Sequence, residues 1–139
     1  MSDTLDPSGR SERMRRIKGR DTRPELAVRR ILHLAGYRFR LHAKDLPGKP
    51  DIVSRRRRKA ILVHGCFWHR HDDPTCKLAR LPKSRLDFWL PKLETNRERD
   101  ARALAALEAL GWRVLVVWEC QMRNKDELAS RVLTFWGNE

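Results

Sequence analysis

Three histidines, one cysteine and two adjacent aromatic residues fall within the eight positions from His64 to His71. Imidazole rings and thiolates bind metal ions, and imidazole also carries protons near neutral pH. The apolar run Ala60–Val63, typical of a buried strand, leads directly into this segment. Such a density of reactive and stacking groups indicates that the functional site lies in or beside His64–His71.

A zinc site is suggested by Cys66, His71, Cys76 and the distant Cys120. Three thiols and one imidazole suit a closed tetrahedral zinc centre. Because Cys120 follows the last predicted strand, zinc there would fasten the reactive segment to the end of the sheet. The alternative is three unrelated thiols, since free cysteine is often simply buried. The use of all three cysteines with one histidine favours zinc.

Asp51 follows Pro50 at the start of a predicted strand, beside the strand that ends at Val63. This pairing would bring its carboxylate near the Val63 carbonyl and the rings of His64 and His69. Mg2+ prefers such oxygen ligands and leaves positions for water and substrate phosphate. With His69 as a base, the arrangement suits phosphodiester hydrolysis. The alternative is a turn aspartate, because Pro-Asp is a common turn pair.

Glu25 has two interpretations. It stands three residues after Thr22, with Pro24 between them, in the pattern of a capping box at a helix start. Alternatively, its carboxylate faces the sheet and helps to hold water beside a metal ion. The residues alone favour the cap.

Several large apolar residues stand in basic, polar surroundings. Consecutive residues such as Phe67 and Trp68 cannot both point into one face of a strand, and proteins that kink a DNA duplex insert apolar wedges between base steps. Trp89 suits core packing equally well, because it lies at helical spacing from other apolar residues. Met14 could enter DNA from a basic helix, although a local contact with Ile17 is the stronger interpretation.

The chain has 31 Lys and Arg residues against 18 Asp and Glu, a formal net charge of +13 over 139 residues. A field this positive favours a polyanion such as nucleic acid. The length suits one domain. No apolar run predicts a transmembrane helix or a signal segment, and three cysteines cannot all pair. We therefore expect a cytoplasmic protein without a disulfide framework.

Hydrophobic periodicity predicts the order helix, strand, strand, strand, helix, strand, helix, which is a mixed α/β sheet flanked by helices. One domain over residues 11–139 would follow a disordered stretch over residues 1–10. The expected elements are a short basic helix Glu12–Lys18, a helix from Thr22 that stops at Gly36, strands at Tyr37–Leu41, Asp51–Val53 and Ala60–Val63, helical stretches from Ser84 and over Thr95–Leu110, a strand Trp112–Trp118 and a helix Asp126–Trp136.

The sequence also predicts four details of these elements. Pro91 should kink or break its helix, and Leu104, Leu107 and Leu110 should form the inner face of the next one. The strand Trp112–Trp118 reads as buried on both faces, with both tryptophans in the core. The run Arg55–Lys59 reads as a solvated hairpin turn rather than a direct phosphate contact.

Several motifs in a fixed order together resemble the very-short-patch repair (Vsr) DNA mismatch endonucleases. The resemblance extends over almost the whole folded chain, and the blocks beginning at His64 and Leu110 are its most specific parts. The motifs are Met14–Arg15, Arg20–Thr22, Leu46–Asp51, His64–His69, Phe88–Leu90, Asn96–Asp100 and Leu110–Cys120.

The resemblance implies a restriction-endonuclease-like (PD-(D/E)XK) fold and a strand-specific nick 5′ to the thymine of a T:G mismatch, which arises when 5-methylcytosine deaminates. That fold class normally places an acidic residue and a lysine on the strand that here reads Ile61–Val63, so the chemistry would rely on a backbone carbonyl and histidines. The implied partner is double-stranded DNA bearing the mismatch. We further expect a monomer that is nucleoid-associated when bound to DNA and that works with mismatch-repair proteins.

The resemblance also implies a role for each matched residue. In the catalytic group, Asp51 and the Val63 carbonyl would hold Mg2+, His69 would be the general base supported by Glu25 and His64, and Asp100 would orient a histidine. A structural zinc would be held by Cys66, His71, Cys76 and Cys120. DNA would be contacted by Phe67, Trp68 and Trp89 as wedges, by Met14 from the minor groove and by Asn96.

Two other functions remain open from the sequence. One is a restriction-type nuclease that cuts intact duplex, and the other is a zinc-stabilised DNA-binding module without catalysis. The first predicts equal cleavage of matched and mismatched DNA. The second predicts that Asp51→Ala leaves binding unchanged and that no Mg2+-dependent nicking exists.

Overall fold

The structure, a computed structural model, describes residues 21–137. The predicted helix Glu12–Lys18 with Met14, and the stretch predicted to be disordered, lie outside the described residues. The elements are α1 (Arg23–Leu34), β1 (Arg40–Leu41), β2 (Ile52–Ser54), β3 (Lys59–His64), a 3-10 helix (Lys77–Ala79), α2 (Leu86–Ala109), β4 (Arg113–Trp118), a 3-10 helix (Glu119–Arg123) and α3 (Lys125–Gly137). Their order confirms the predicted sequence of helices and strands.

The four strands form one mixed sheet in the order β1-β2-β3-β4. β1 and β2 pair antiparallel, as do β2 and β3, whereas β3 and β4 pair parallel. The parallel pair needs a crossover, and α2 supplies it. The predicted α/β class is therefore confirmed, and the register places His64 beside Trp118 at the carboxyl ends of both strands.

The main core lies between one face of the sheet and the helices α1 and α3. Its largest buried side chain is Trp136 in α3, which packs with Leu32 of α1 and with Ile52 and Ile61 of the sheet. Side chains alternate across a strand, so the neighbouring residue Val53 belongs to a smaller cluster on the opposite face. The sequence analysis did not single out Trp136.

Helix α1 begins where the sequence predicts, but only half of the capping box forms. The Thr22 Oγ1 atom accepts the backbone N–H of Glu25 at 3.4 Å, and Pro24 occupies the first turn. The Glu25 side chain does not return to Thr22, because its carboxylate is bound by Arg29 and His42 instead. The preference for Glu25 as a cap residue is therefore wrong.

Helix α2 runs for 24 residues through Pro91, so a break there is wrong, whereas a kink stays a prediction. Pro91 lies in the second turn, where it removes only one intrahelical hydrogen bond near an exposed end. On its predicted inner face Leu107 is buried, whereas Leu110 is 53% exposed. Steps of three residues drift around a helix of 3.6 residues per turn, which carries Leu110 away from the core.

Two strands also differ from their predictions. The segment from Tyr37 to Leu41 forms only the two-residue strand β1; Tyr37 and Phe39 still pack against the main core from an irregular segment. In the part of the chain that the structure describes, β4 lies at the edge of the sheet beside β3; Val117 is buried and most of its other residues are half-buried. Leu115 and Val117 pack on the main core, whereas the smaller cluster on the opposite face reaches only Trp112, so the prediction of burial on both faces is wrong.

The run Arg55–Lys59 divides into two parts. The four arginines form an exposed turn between β2 and β3, as predicted, but Lys59 is 2% exposed and begins β3. Its Nζ atom donates to the carbonyls of Phe135 and Trp136 at 2.7 and 3.1 Å, at the C-terminal end of α3. A cation there interacts favourably with the helix dipole. No helix within residues 21–137 is both long and apolar enough to cross a membrane.

Candidate functional site

A cleft of about 920 Å³ lies at the carboxyl end of β3. Its walls come from α1, the loop before β2, the loop after β3 and α2. The predicted catalytic residues all line it, together with the metal-ligand candidate Val63 and two of the predicted wedge residues. These residues are Glu25, Asp51, Val63, His64, Phe67, Trp68, His69 and Asp100.

Asp51 is held at the start of β2 by a tight loop and by a hydrogen bond from β3. Gly48 in this loop has φ +72, and a Cβ there would lie 2.7 Å from the Cβ of Ala103, so the loop packs closely on α2. The Oδ2 atom of Asp51 accepts the Val63 N–H at 2.7 Å. Burial raises the pKa of Asp51 to about 6; the Val63 N–H opposes this shift and the Glu25 carboxylate adds to it.

A cation at Asp51 would relieve this unfavourable ionisation. Asp21, Glu25, Asp51, Asp100 and Glu119 all border the cleft, so acidic groups collect there in a chain of net charge +13. Carboxylate and carbonyl oxygens are ligands that Mg2+ accepts. The donor set around Asp51 and Val63 therefore fits a hard divalent cation.

Glu25 is almost completely buried, with 1% exposure, and its carboxylate contacts the side chains of Arg29 and His42. Its Oε2 atom lies 2.9 Å from the His42 Nε2 atom and pairs with the guanidinium of Arg29, which also pairs with Asp21. Neither partner was predicted from the sequence. Arg29 could have been found from its i,i+4 spacing to Glu25, whereas His42 lies on a separate segment that only the tertiary fold brings close.

His69 and Asp100 form a hydrogen-bonded pair across the cleft. The His69 Nδ1 atom lies 2.5 Å from the Asp100 Oδ2 atom. A turn with a 3.1 Å hydrogen bond from the His69 N–H to the Gly65 carbonyl brings the ring back over the end of β3. Because a carboxylate accepts the Nδ1 proton, the Nε2 atom remains as the proton acceptor.

His64 stacks on His69 with ring centroids 3.9 Å apart and planes at 4°. Burial lowers the pKa of His64 to about 4; His69 adds to this shift and Asp100 opposes it. The ring is therefore neutral at physiological pH. Its Nδ1 atom is buried and has no hydrogen-bond partner among the described residues.

The four predicted zinc ligands come together as one cluster. One ligand atom from each of Cys66, His71, Cys76 and Cys120 lies within 4.8 Å of the others. Zinc–sulfur bonds near 2.3 Å in a tetrahedron separate sulfur atoms by about 3.8 Å, so this set fits zinc after a small contraction. Burial raises the pKa of the Cys66 and Cys120 thiols, a penalty that a bound metal ion would remove.

The predicted wedge residues form a closed aromatic cluster beside the cleft. The rings of Phe67, Trp68 and Trp89 meet pairwise edge to face at centroid distances of 5.2, 5.5 and 5.8 Å. Phe88, which the sequence analysis did not assign to DNA, joins Trp89 at 5.1 Å and is 47% exposed. Trp89 therefore belongs to this cluster and not to the core.

Asn96 reaches the same cluster through the backbone. Its Nδ2 atom donates to the Trp68 carbonyl at 3.3 Å, so it holds the turn that carries the aromatic rings. The Lys92 Nζ atom lies 5.9 Å from the Trp68 ring centroid and 5.8 Å from that of Phe88. A cation over aromatic rings combines phosphate attraction with a base-stacking surface.

A second groove of about 1070 Å³ lies between α1 and α3. Apolar residues such as Leu34 and Met122 line it, and none of the predicted catalytic residues in the described part of the chain does. We assign the chemistry to the first cleft, because paired carboxylates and histidines converge there.

Known proteins resemble this chain along nearly all of its length. The model of a family described as DNA mismatch endonuclease Vsr matches residues 2–75. The chain is 54% identical over 132 residues to the Type II nicking enzyme V.XorIIP of Xanthomonas oryzae pv. oryzae, covering 95% of each chain. It is 44% identical over 134 residues to the DNA mismatch endonuclease Vsr of Escherichia coli, covering 96% of this chain and 84% of that one. Over 132 residues it is 42% identical to the Type II nicking enzyme V.NmeAIP of Neisseria meningitidis, covering 95% and 92%.

Proposed function

Because the chain belongs to the Vsr family of DNA mismatch endonucleases, we propose that it nicks one DNA strand 5′ to the thymine of a T:G mismatch and so initiates very-short-patch repair. The reaction is Mg2+-dependent phosphodiester hydrolysis. The observation that supports this best is a single cleft that contains Asp51 and the hydrogen-bonded pair of His69 and Asp100, with Phe67 and Trp68 on its wall. The proposed metal ligand, general base and stacking surface thus line one cleft.

Mg2+ would be held by the Asp51 carboxylate and the Val63 carbonyl. When bound, it supplies positive charge that neutralises the phosphoryl oxygens during hydrolysis. Glu25 borders the same cleft, and its partners Arg29 and His42 keep its carboxylate in one orientation. Glu25 supports His69 by shaping the charge around the water that attacks the phosphate.

His69 takes a proton from that water at its Nε2 atom. Asp100 holds the Nδ1 proton, fixes the tautomer and stabilises the positive charge that the ring gains. His64 stays neutral beside it and prevents the ring from rotating. Asp51, His69, Glu25, His64 and Asp100 are thus assigned to catalysis.

The aromatic cluster would enter the duplex at the mismatch. Phe67 and Trp68 are the wedges nearest the cleft, and Trp89 supports them from α2. A T:G wobble pair unstacks at lower cost than a Watson–Crick pair, so insertion itself favours the mismatched site. We propose that Met14 enters from the minor-groove side and that Asn96 steadies the Trp68 turn and contacts DNA.

Zinc at Cys66, His71, Cys76 and Cys120 is proposed as a structural ion. Along the chain, Cys66 and His71 flank the wedge residues and the general base His69. A closed four-ligand site would hold these residues rigid relative to Asp51. This arrangement explains why three kinds of residue are interleaved in so short a segment.

The mixed sheet supports the restriction-endonuclease-like (PD-(D/E)XK) fold, with a hairpin that presents the metal ligand and an adjoining parallel strand. We also propose one catalytic domain over residues 11–139 after a disordered stretch, which acts as a monomer. It would work on DNA in the cytoplasm, associated with the nucleoid, and alongside mismatch-repair proteins.

The proposal is tested with a duplex that contains one T:G pair, labelled at the 5′ end of either strand. In Mg2+ the wild type should nick only the thymine strand, 5′ to the mismatched thymine, and Asp51→Ala should bind the duplex without nicking it. Equal nicking of a matched duplex would indicate a restriction-type nuclease. Binding with no Mg2+-dependent nicking by the wild type would indicate a DNA-binding module.

A further inference from the structure

Trp118 lies between the cysteine–histidine cluster and the catalytic histidines. Its ring stacks on His71 with centroids 4.1 Å apart and planes at 12°, and it meets His64 edge to face at 5.2 Å. His64 in turn stacks on His69. A continuous series of ring contacts therefore connects a predicted zinc ligand to the predicted general base.

The backbone before and after Trp118 is held in place. It is the last residue of β4, directly beside His64 in the parallel register, and Cys120 follows two residues later. The backbone N–H of Trp118 donates to the Gln121 Oε1 atom at 3.0 Å. This hydrogen bond stabilises the turn that follows β4. The main chain at Trp118 is therefore fixed between the end of β4 and Cys120 of the cluster.

We propose that Trp118 is a positioning residue for the nicking reaction: its indole sets the distance between the Cys66–His71–Cys76–Cys120 cluster and the stacked pair of His64 and His69. This inference rests on the proposed function. Within residues 21–137 the buried Nδ1 atom of His64 has no hydrogen-bond partner to fix the ring, so ring contacts from both sides perform that task.

The physical reason is packing. An indole makes flat contacts over its whole face, whereas an aliphatic side chain leaves a gap beside His71 or His64. A gap allows the His64 ring to tilt and the His69 ring to follow it away from Asp100. Displacement of a reacting group by about 1 Å can lower a rate about 100-fold.

The test compares Trp118→Leu with Trp118→Phe in the full zinc-loaded chain. Leucine keeps an apolar group without an aromatic face, and phenylalanine restores a ring. Trp112→Leu is the matched control, because Trp112 is half-buried just before the same strand and packs on the opposite cluster of Ala43, Val53 and Ala60. Single-turnover nicking of a T:G duplex is measured per zinc-bound chain, together with the Kd for DNA in the absence of divalent cations.

We expect Trp118→Leu to lower the rate constant about 100-fold at an unchanged Kd, Trp118→Phe to recover most of the rate, and Trp112→Leu to match the wild type. A purely structural role would lower the stability of both leucine variants without this difference in rate. Equal rates per zinc-bound chain for Trp118→Leu and Trp118→Phe would overturn the inference alone. Absence of nicking by the wild type would instead overturn the proposed function, and this inference with it.

Discussion

The rings of His64 and His69 stack face to face, 3.9 Å between centroids and 4° from parallel. Two imidazolium rings at this distance would repel each other, and burial already lowers the pKa of His64 to about 4. The His69 Nδ1 atom lies 2.5 Å from Asp100, whose carboxylate would stabilise positive charge on that ring. In the proposed mechanism, the stack therefore pairs a neutral, orienting histidine with the one that accepts the proton.

Replacement of Asp100 by asparagine should slow nicking strongly while DNA binding persists. Asparagine preserves the shape, but its amide can donate to the His69 Nδ1 atom and so favours the wrong tautomer. We expect a loss of about 10²–10⁴-fold in the single-turnover rate constant, the range that a positioned general base contributes. Nicking of Asp100→Asn at the wild-type rate would remove the assigned role of this pair.

Replacement of Asp51 by asparagine should abolish Mg2+-dependent nicking and leave the fold intact. The amide oxygen can still accept the Val63 N–H, but the negative charge for the cation is gone. We expect the rate to fall at least about 10³-fold, since metal stabilisation of a transition state amounts to several kcal/mol. The measurement is nicking over a Mg2+ titration, with circular dichroism as the check on folding.

The pKa of Asp51 also predicts how stability depends on pH without divalent cations. Its folded pKa of about 6 lies above the ordinary value of 3.8, so the folded state retains a proton that the unfolded chain loses. This stabilisation is complete below about pH 4 and is lost as the pH rises through about 6. Asp51→Asn removes the titration, so it should gain on the order of 2 kcal/mol relative to the wild type between these limits.

Urea denaturation at several pH values measures this difference. Addition of Mg2+ at pH 7 should then stabilise the wild type and leave Asp51→Asn unchanged, because a ligand stabilises only the state that binds it. A stability difference that does not vary between pH 4 and pH 7 would show that Asp51 ionises as an ordinary surface carboxylate.

Arg29 and Glu25 should be strongly coupled in stability. Arg29→Met leaves the carboxylate of Glu25 buried without its guanidinium partner, and removal of one partner from a buried ion pair costs about 3 kcal/mol. Glu25→Gln in the same chain should recover most of this loss. Arg30→Met, on the exposed side of α1, is the control and should change stability by less than about 0.5 kcal/mol.

A double-mutant cycle on the free energy of unfolding checks this coupling. Additive losses for Arg29→Met and Glu25→Gln, or equal losses for Arg29→Met and Arg30→Met, would contradict the coupling of Arg29 with Glu25.

The order of helices and strands could be predicted because hydrophobic periodicity and the residues that start or end an element are local features of the sequence. Thr22 and Pro24 specify the start of α1, and the apolar run before His64 specifies β3. The errors arose where tertiary position decides. Nothing in the Trp112–Trp118 run indicates that its strand lies at a sheet edge. Likewise, nothing near Lys59 in the sequence indicates that its side chain contacts the C-terminal end of α3.

The candidate site could be predicted from the sequence for a different reason. Its residues are clustered in motifs, so the resemblance to the Vsr family could be stated from the sequence, and the comparisons confirm that family. Contacts between residues of separate segments could not be predicted from the sequence. His42 binds Glu25 and Trp118 touches two histidines only because β1, β3 and β4 bring them together.

The proposed function requires that this cleft hydrolyse DNA selectively at T:G pairs. Two duplexes of one sequence, one with T:G and one with T:A at the same position, should be mixed and treated with the protein in Mg2+ at a stated salt concentration. We predict that kcat/KM for the T:G duplex exceeds that for T:A by at least about 100-fold, because a mismatch lowers the cost of unstacking by a few kcal/mol. Equal kcat/KM values for the two duplexes would contradict the account.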